Sequence, residues 1–299
     1  MTASAHQKST IVRVRNHARY VGRRLAFRAT DLLAPGVAGR KVSDLWFTVP
    51  PQLPETPLPD GDAFTVAAAG AQVRGRVFGD GPTVYLVHGW GGRGSQLAAF
   101  VEPLVSTGHR VVLFDAPGHG ASPFGDSGPG RSSGVELAKA LDAAFARFGP
   151  AEAVVAHSMG AVATYLALRF GWLGTSRLVL LAPMVEAVPL FDQFQAALGF
   201  GSRTRGAFDR EVASRVGVPL AEFDARVQAS HVESVPTLVI HDTGDRQAPY
   251  DDAQHLVATL TDARLVTTEG LGHRRILRDP QVVAEVVDFV RAKERVAVA

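Results

Sequence analysis

Short runs rich in Val, Leu and Ala punctuate the chain from residue 83 to residue 268, and the stretches between them carry helical spacing. The runs predict strands near 83–88, 110–115, 151–157, 177–182, 236–241 and 263–268. Helices are predicted near 95–107, 132–148, 159–171, 250–260 and 280–294. The last helix shows its period most plainly, with Val282, Val283, Val286, Val287 and Val290 on one face. Strands that are apolar along their whole length, alternating with helices, imply a mostly parallel sheet covered on both faces. Ahead of this series, Asp62–Ala69 and Gln72–Phe78 flank Gly70-Ala71 and predict an antiparallel hairpin opening the sheet.

Two stretches break the alternation. Residues 50–60 are proline-rich, with no helical or strand period, and read as an extended linker. Between the strands at 177–182 and 236–241 lie about fifty residues of helical character, a length that usually serves a function. Leu190, Phe191, Phe194, Leu198, Phe200, Phe208 and Phe223 lie within this interval. Most of these side chains are expected to pack the insertion, while Phe191 and Phe194 are candidates to line an apolar pocket. The expected organisation is a basic arm and linker over 1–61, then one α/β domain over 62–299 with an insertion at about 184–232.

The chemistry starts at residues 154–164, Val-Val-Ala-His-Ser-Met-Gly-Ala-Val-Ala-Thr. A strand that turns sharply into a helix can hold Ser158 exposed, in strained backbone geometry, if small residues stand two before and two after it. Gly160 meets that need, and Ala156 stands where glycine is usual. A serine hydroxyl needs a base to take its proton, and the base needs an acid to orient it. His273 follows the strand at 263–268, in a loop that Gly270 and Gly272 can tighten. Asp245 follows the strand at 236–241, with Asp242 three residues earlier and Glu186 after the preceding strand as competing acids. The order serine, acid, histidine is that of a Ser-His-acid triad mounted on an open α/β sheet. Each candidate also follows the carboxyl end of a strand, where such sheets bind ligands.

These stretches resemble the α/β-hydrolase fold superfamily, specifically its bacterial single-domain serine hydrolases of esterase type. The matching segments are His88–Gly92, Phe114–Ser122, Ala156–Gly160, His241–Pro249 and Gly270–His273, spread over roughly residues 62–295. The resemblance implies a mostly parallel hydrolase sheet flanked by helices, with the insertion forming a cap over the active site. It favours Asp245 as the acid. It implies backbone N–H groups of Met159 and Trp90 as donors to an oxyanion, and the Trp90 indole becomes a third candidate to line the pocket. His157 is expected beneath the serine turn, and His119 and His241 in structural positions. No cofactor or metal is implied.

Charge and composition narrow the rest. At 299 residues the chain has room for one large domain with an insertion. Cysteine is absent, which removes thiol chemistry and disulfides and agrees with a reducing compartment. No run is long and apolar enough for a membrane span, and Arg13 and Arg15 interrupt the N-terminal apolar residues, so cytoplasmic residence is the expectation. The net charge of +2 hides an asymmetry. Residues 1–41 hold nine Lys or Arg against Asp31 alone, +8, leaving −6 for the remainder. The favoured expectation is a helix packing Val12, Tyr20, Val21, Leu25, Phe27, Leu32 and Leu33 on the domain. A second role open to residues 8–41 is weak contact with anionic lipid, at about 1 kcal/mol per basic residue near the surface. Nucleic-acid binding is not expected, because the excess is confined to this arm and no reader motif accompanies it.

One rival occupies the loop after the first parallel strand. Gly89-Trp90-Gly91-Gly92-Arg93-Gly94, with Asp115 at the end of the next strand, approaches a dinucleotide fingerprint. The bulky Trp90 where backbone must approach a pyrophosphate counts against it, and that reading leaves Ser158, Asp245 and His273 without a role. The sequence thus points to a serine hydrolase acting on a small carboxylic ester with a hydrophobic part. Thioester, amide or peptide, and C–C substrates remain open, as does a non-catalytic binding protein of the same fold. Oligomeric state is not legible.

Overall fold

The computed structural model describes Gly22 and residues 27–292. Eight strands form one sheet: β1 (Asp62–Ala68), β2 (Ala71–Phe78), β3 (Thr83–Val87), β4 (Arg110–Phe114), β5 (Ala151–His157), β6 (Leu178–Leu181), β7 (Thr237–Asp242) and β8 (Ala263–Thr268). Their spatial order is β1-β2-β4-β3-β5-β6-β7-β8. The hairpin β1–β2 joins β4 antiparallel, and every pair from β4 to β8 is parallel. Burial follows position in the sheet. All residues of β3, β6 and β7 are buried, whereas the edge strands β1 and β8 mix buried or half-buried residues with exposed ones.

Among the described residues, these α-helices accompany the strands: α1 (Pro35–Trp46), α2 (Val101–Ser106), α3 (Gly134–Phe148), α4 (Met159–Arg169), α5 (Val188–Leu198), α6 (Ser202–Val216), α7 (Ala225–Ala229), α8 (Tyr250–Thr259), α9 (Gly272–Arg275) and α10 (Pro280–Arg291). Helix α10 starts where its sequence directs, with Pro280 in the first turn and the Asp279 carboxylate accepting from Gln281 and Val282 N–H at 3.0 and 3.1 Å. Val282, Val286, Val287 and Val290 then join Leu86, Val155, Val179 and Leu238 in one core, with Val283 at its margin. The strand numbering reverses around β3, which pairs with β4 on one side and β5 on the other. The loops after β3 and β5 therefore diverge at a switch point, the place where open α/β sheets accommodate ligands.

The chain divides into two compact units, Met1–Trp46 with Ala187–Leu220, and Phe47–Glu186 with Ala221–Ala299. This moves both boundaries drawn from the sequence. The excursion is narrower than 184–232, because Ala225 N–H donates to Val185 O at 2.8 Å and Glu186 bridges Asp224, so both ends of the stem belong to the larger unit. Residues 50–60 do not hang free between arm and domain. Gly120 N–H donates to Gln52 Oε1 at 2.9 Å, Gln52 Nε2 donates to Gly118 O at 3.2 Å, and Thr56 N–H donates to Ser95 Oγ at 3.2 Å.

In the smaller unit α1 packs on α5 and α6. A Cβ on Gly39 would stand 2.6 Å from Ala207 Cβ, so the two helix backbones meet closely there. Trp46 crosses the Phe191 ring edge-on at 4.7 Å, and Phe191 meets Phe208 at 5.1 Å. Asp31 accepts from Thr204 N–H at 2.7 Å and so satisfies a first-turn donor of α6 from far along the chain. Leu32 and Leu33 depart from expectation. They are 66% and 85% exposed rather than packed. Val12, Tyr20, Val21 and Leu25 lie outside the described residues, as does most of the segment 8–41 considered for lipid contact. Among the described residues, no helix is long and apolar enough to cross a membrane.

Candidate active site

Ser158 sits between β5 and α4 at φ 54°, ψ −121°. A non-glycine residue there carries strain of about 1–3 kcal/mol that its surroundings must hold. Three backbone bonds do so. Ser158 N–H donates to Leu181 O at 3.1 Å, and its carbonyl accepts from Ala161 N–H at 3.0 Å and Met184 N–H at 3.1 Å. The small flanking residues have distinct reasons. A Cβ on Gly160 would come within 2.8 Å of Val87 O and 2.9 Å of His88 O. Ala156 is a buried strand residue registered with Val87 and Leu180, and its methyl fits there.

Ser158 Oγ lies 3.0 Å from His273 Nε2, and His273 Nδ1 lies 2.7 Å from Asp245 Oδ2. A carboxylate can only accept, so Nδ1 carries the proton and Nε2 presents its lone pair to the hydroxyl. The Asp245 side chain is 0% exposed. Its other oxygen accepts from Gln247 N–H at 2.7 Å and Ala248 N–H at 3.1 Å. Burial alone would raise its pKa, but hydrogen bonds from His241, His273 and those two amides hold it well below the usual carboxylate range.

The two competing acids are occupied elsewhere. Asp242 accepts from Gly244 N–H at 2.9 Å, Thr268 Oγ1 at 2.9 Å and Leu271 N–H at 2.8 Å, which ties the loop after β7 to the loop after β8. Glu186 pairs with Arg226. Asp115 is equally committed, accepting from Gly94 N–H and Ala121 N–H at 2.7 Å each. A carboxylate spent on two main-chain amides is not free for a ribose, which removes the acidic member of the dinucleotide pattern.

Three further histidines organise the site in ways that sequence could not specify. Ala116 N–H donates to His88 Nε2 at 2.9 Å, so Nδ1–H of His88 donates to Gly89 O at 2.8 Å. Gly91 N–H donates to His119 Nε2 at 3.2 Å, so Nδ1–H of His119 donates to Pro117 O at 3.0 Å. Burial pushes both pKa values down to about 4, and both rings are neutral. Together they bolt the loop after β3 to the loop after β4. His157 Nε2–H donates to the His273 carbonyl at 2.9 Å, with the two rings 4.7 Å apart. Burial, and then the neighbouring His273 ring, push the His157 pKa down to about 3.

Met159 follows Ser158 as the first residue of α4, and Trp90 lies in the loop after β3. A Cβ on Gly89 would stand 2.8 Å from Ser158 Cβ, so the residue before Trp90 abuts the serine. Trp90 itself packs edge-on against His119 at 5.2 Å. Phe191 is a correction. Phe191 is 2% exposed and, with half-buried Phe194, contributes to the aromatic core around Trp46 and Phe208. The Phe191 ring is spent on that cluster rather than on a pocket, while Phe194 keeps part of its surface exposed. Among the described residues, no group of three or more His, Asp or Glu side chains is arranged to hold a metal ion.

The profile of the alpha/beta hydrolase family matches residues 84–286, more than half of the chain. The chain belongs to the alpha/beta hydrolase family. Within it, the chain is similar to the non-heme chloroperoxidase of Streptomyces lividans, 28% identical over 258 residues that cover 71% of this chain and 93% of that protein. Its fold matches an esterase from Exiguobacterium antarcticum with a TM-score of 0.59 at 17% identity, over 76% of this chain and 99% of the other. An esterase from Pyrococcus furiosus matches with a TM-score of 0.61 at 15% identity, over 82% and 97%. Family membership, together with esterase folds among its structural neighbours, supports hydrolase chemistry for this alpha/beta hydrolase.

Proposed function

We propose that this protein is a serine hydrolase that cleaves a carboxylic ester with a hydrophobic part through an acyl-enzyme on Ser158. One observation carries the reading, the continuous contact from Ser158 Oγ through the His273 imidazole to the Asp245 carboxylate at 3.0 and 2.7 Å. As Oγ bonds to the ester carbonyl carbon, its proton passes to His273 Nε2. Asp245 stabilises the imidazolium, and Nε2 then protonates the departing alkoxide as the C–O bond breaks. Water repeats the sequence on the acyl-enzyme, giving up a proton to Nε2 and releasing the acid as Oγ is reprotonated.

The tetrahedral oxyanion needs donors, and we assign them to Met159 N–H and Trp90 N–H. Met159 opens α4, and the first N–H of a helix has no acceptor inside it. In the other loop, Gly91 N–H is taken by His119 and Gly92 N–H by Gly89 O, which favours Trp90 as its donor. One such donor contributes about 3–4 kcal/mol to lowering the barrier. With Phe191 buried among other rings, we assign Trp90 and Met159 as apolar side chains that favour a hydrophobic ester beside the serine. The test is Ser158→Ala, which should abolish hydrolysis of a short-chain p-nitrophenyl ester while circular dichroism stays unchanged. Turnover near the wild-type rate in that variant would overturn the reading.

A further inference from the structure

His273 also borders a second feature, a cleft of about 450 Å³ whose lining includes Arg246, Gln247, Leu271, Arg274 and Arg275. Three arginines thus line one cleft together with His273, the residue whose Nε2 meets Ser158 Oγ. The carboxylate in the lining, Asp242, is buried and accepts from Gly244, Thr268 and Leu271. Arg275 is steadied by donating to Gly270 O. Some arginines elsewhere pair with acids, as in Arg169–Glu222, Arg215–Asp44 and Arg226–Asp224, and others donate to main-chain carbonyls, as Arg110 and Arg147 do. Among the described residues, none of Arg246, Arg274 and Arg275 enters an ion pair. A concave surface that gathers unpaired guanidiniums concentrates positive potential, and their forked donors suit the oxygens of a carboxylate or phosphate.

We propose that this cleft binds an anionic group of the substrate, so that the protein favours esters or thioesters carrying a carboxylate or phosphate away from the scissile bond. The inference deepens the serine-hydrolase reading and rests on it for the site of cleavage. Binding and turnover separate the two. Ser158→Ala protein titrated with glutarate and with inorganic phosphate should bind at least one of them, and adding Arg246→Gln with Arg274→Gln should weaken that binding by about tenfold or more. In the enzyme with Ser158 intact, kcat/KM is compared for neutral p-nitrophenyl butyrate, mono-p-nitrophenyl glutarate and butyryl-coenzyme A. The ratio of charged to neutral substrate should fall about tenfold in Arg246→Gln/Arg274→Gln. A fall confined to the glutarate ester identifies a carboxylate ligand, and one confined to the coenzyme A thioester identifies a phosphate. The ratio should also fall in the unmodified protein as salt rises from 0.05 to 0.5 M, a measurement independent of any variant's folding. Hydrolysis of the neutral ester with a ratio indifferent to both salt and the arginines would overturn the anion site and leave the hydrolase reading intact. Anion binding that depends on the arginines, in a protein that cleaves none of the three, would keep the site and overturn the hydrolase reading.

Discussion

Two pairs of loops flank Ser158, and they are fastened by opposite chemistry. On one side the loops after β3 and β4 are joined by neutral imidazoles, with His88 and His119 each accepting from a main-chain N–H and donating to a main-chain carbonyl. On the other side the loops after β7 and β8 are joined by carboxylates, Asp242 on main-chain amides and Asp245 on His273. A histidine whose two nitrogens both serve the backbone is spent as a fastener. His273 differs because its Nδ1 meets a buried anion, which leaves Nε2 free to face a hydroxyl. The partner, rather than the residue type, separates a candidate base from a clamp.

The sharpest way to test this contrast is Asp245→Asn. The amide can donate where the carboxylate only accepts, favouring the wrong imidazole tautomer, so kcat should drop about 10⁴-fold with little change in KM. A drop of less than tenfold would mean that His273 does not depend on the anion. Next comes His157→Leu, which removes the donor to the His273 carbonyl without touching the imidazole. If that bond aims the ring, kcat should fall about 10²-fold, as expected for small misplacement of a reacting group, while His157→Gln should recover part of the loss. Equal losses in thermal stability and activity, unrelieved by glutamine, would reduce His157 to packing.

The imidazole side makes its own prediction for pH. His88, His119 and His157 are held neutral, with pKa values near 4, 4 and 3 against an ordinary 6.5. Below pH 6.5 the unfolded chain takes up protons that the folded chain refuses, so stability is complete above that pH and is lost as pH falls toward 4. The slope is at most about 1.4 kcal/mol per pH unit for each histidine. Thermal denaturation from pH 7.5 to 4.5 should show the decline, and His119→Gln should flatten it. A Tm that stays level over that range would contradict the neutral clamps. The smallest effect belongs to Gln52→Ala, which cuts both bonds from the proline-rich segment to Gly118 and Gly120 and should cost about 1–2 kcal/mol in urea unfolding.

What was legible in the sequence follows the range of the interactions involved. The parallel strands, the hairpin and the valine face of α10 are local patterns, and each lies within a few residues of where periodicity puts it. Ser158, Asp245 and His273 were legible because type, order and position after a strand coincide, and the structure brings those three together. Asp242 closes β7 and Asp245 follows it, so position alone does not choose between them; the resemblance favours Asp245, and in the fold it is the Asp245 carboxylate that reaches the ring. The union of α1 with α5 and α6 was not legible, because Gly39 and Ala207 lie far apart in the chain and neither belongs to a recognisable motif. Phe191 read as a pocket candidate because a phenylalanine in an insertion looks the same whether it faces a ligand or Trp46. The roles of His88 and His119 depend on which nitrogen holds the proton, and no spacing encodes that.

The stem at Val185 and Ala225 has a consequence for how this molecule can change. Because the excursion departs and returns at adjoining points, evolution can lengthen, trim or replace it without disturbing the order of the strands. Helix α1 complicates that freedom, since Gly39 meets Ala207 and Trp46 meets Phe191 within the excursion. A transplant that keeps these contacts carries two separated stretches of gene, and a graft of the inner stretch alone would part Phe191, Phe194 and Phe208 from Trp46.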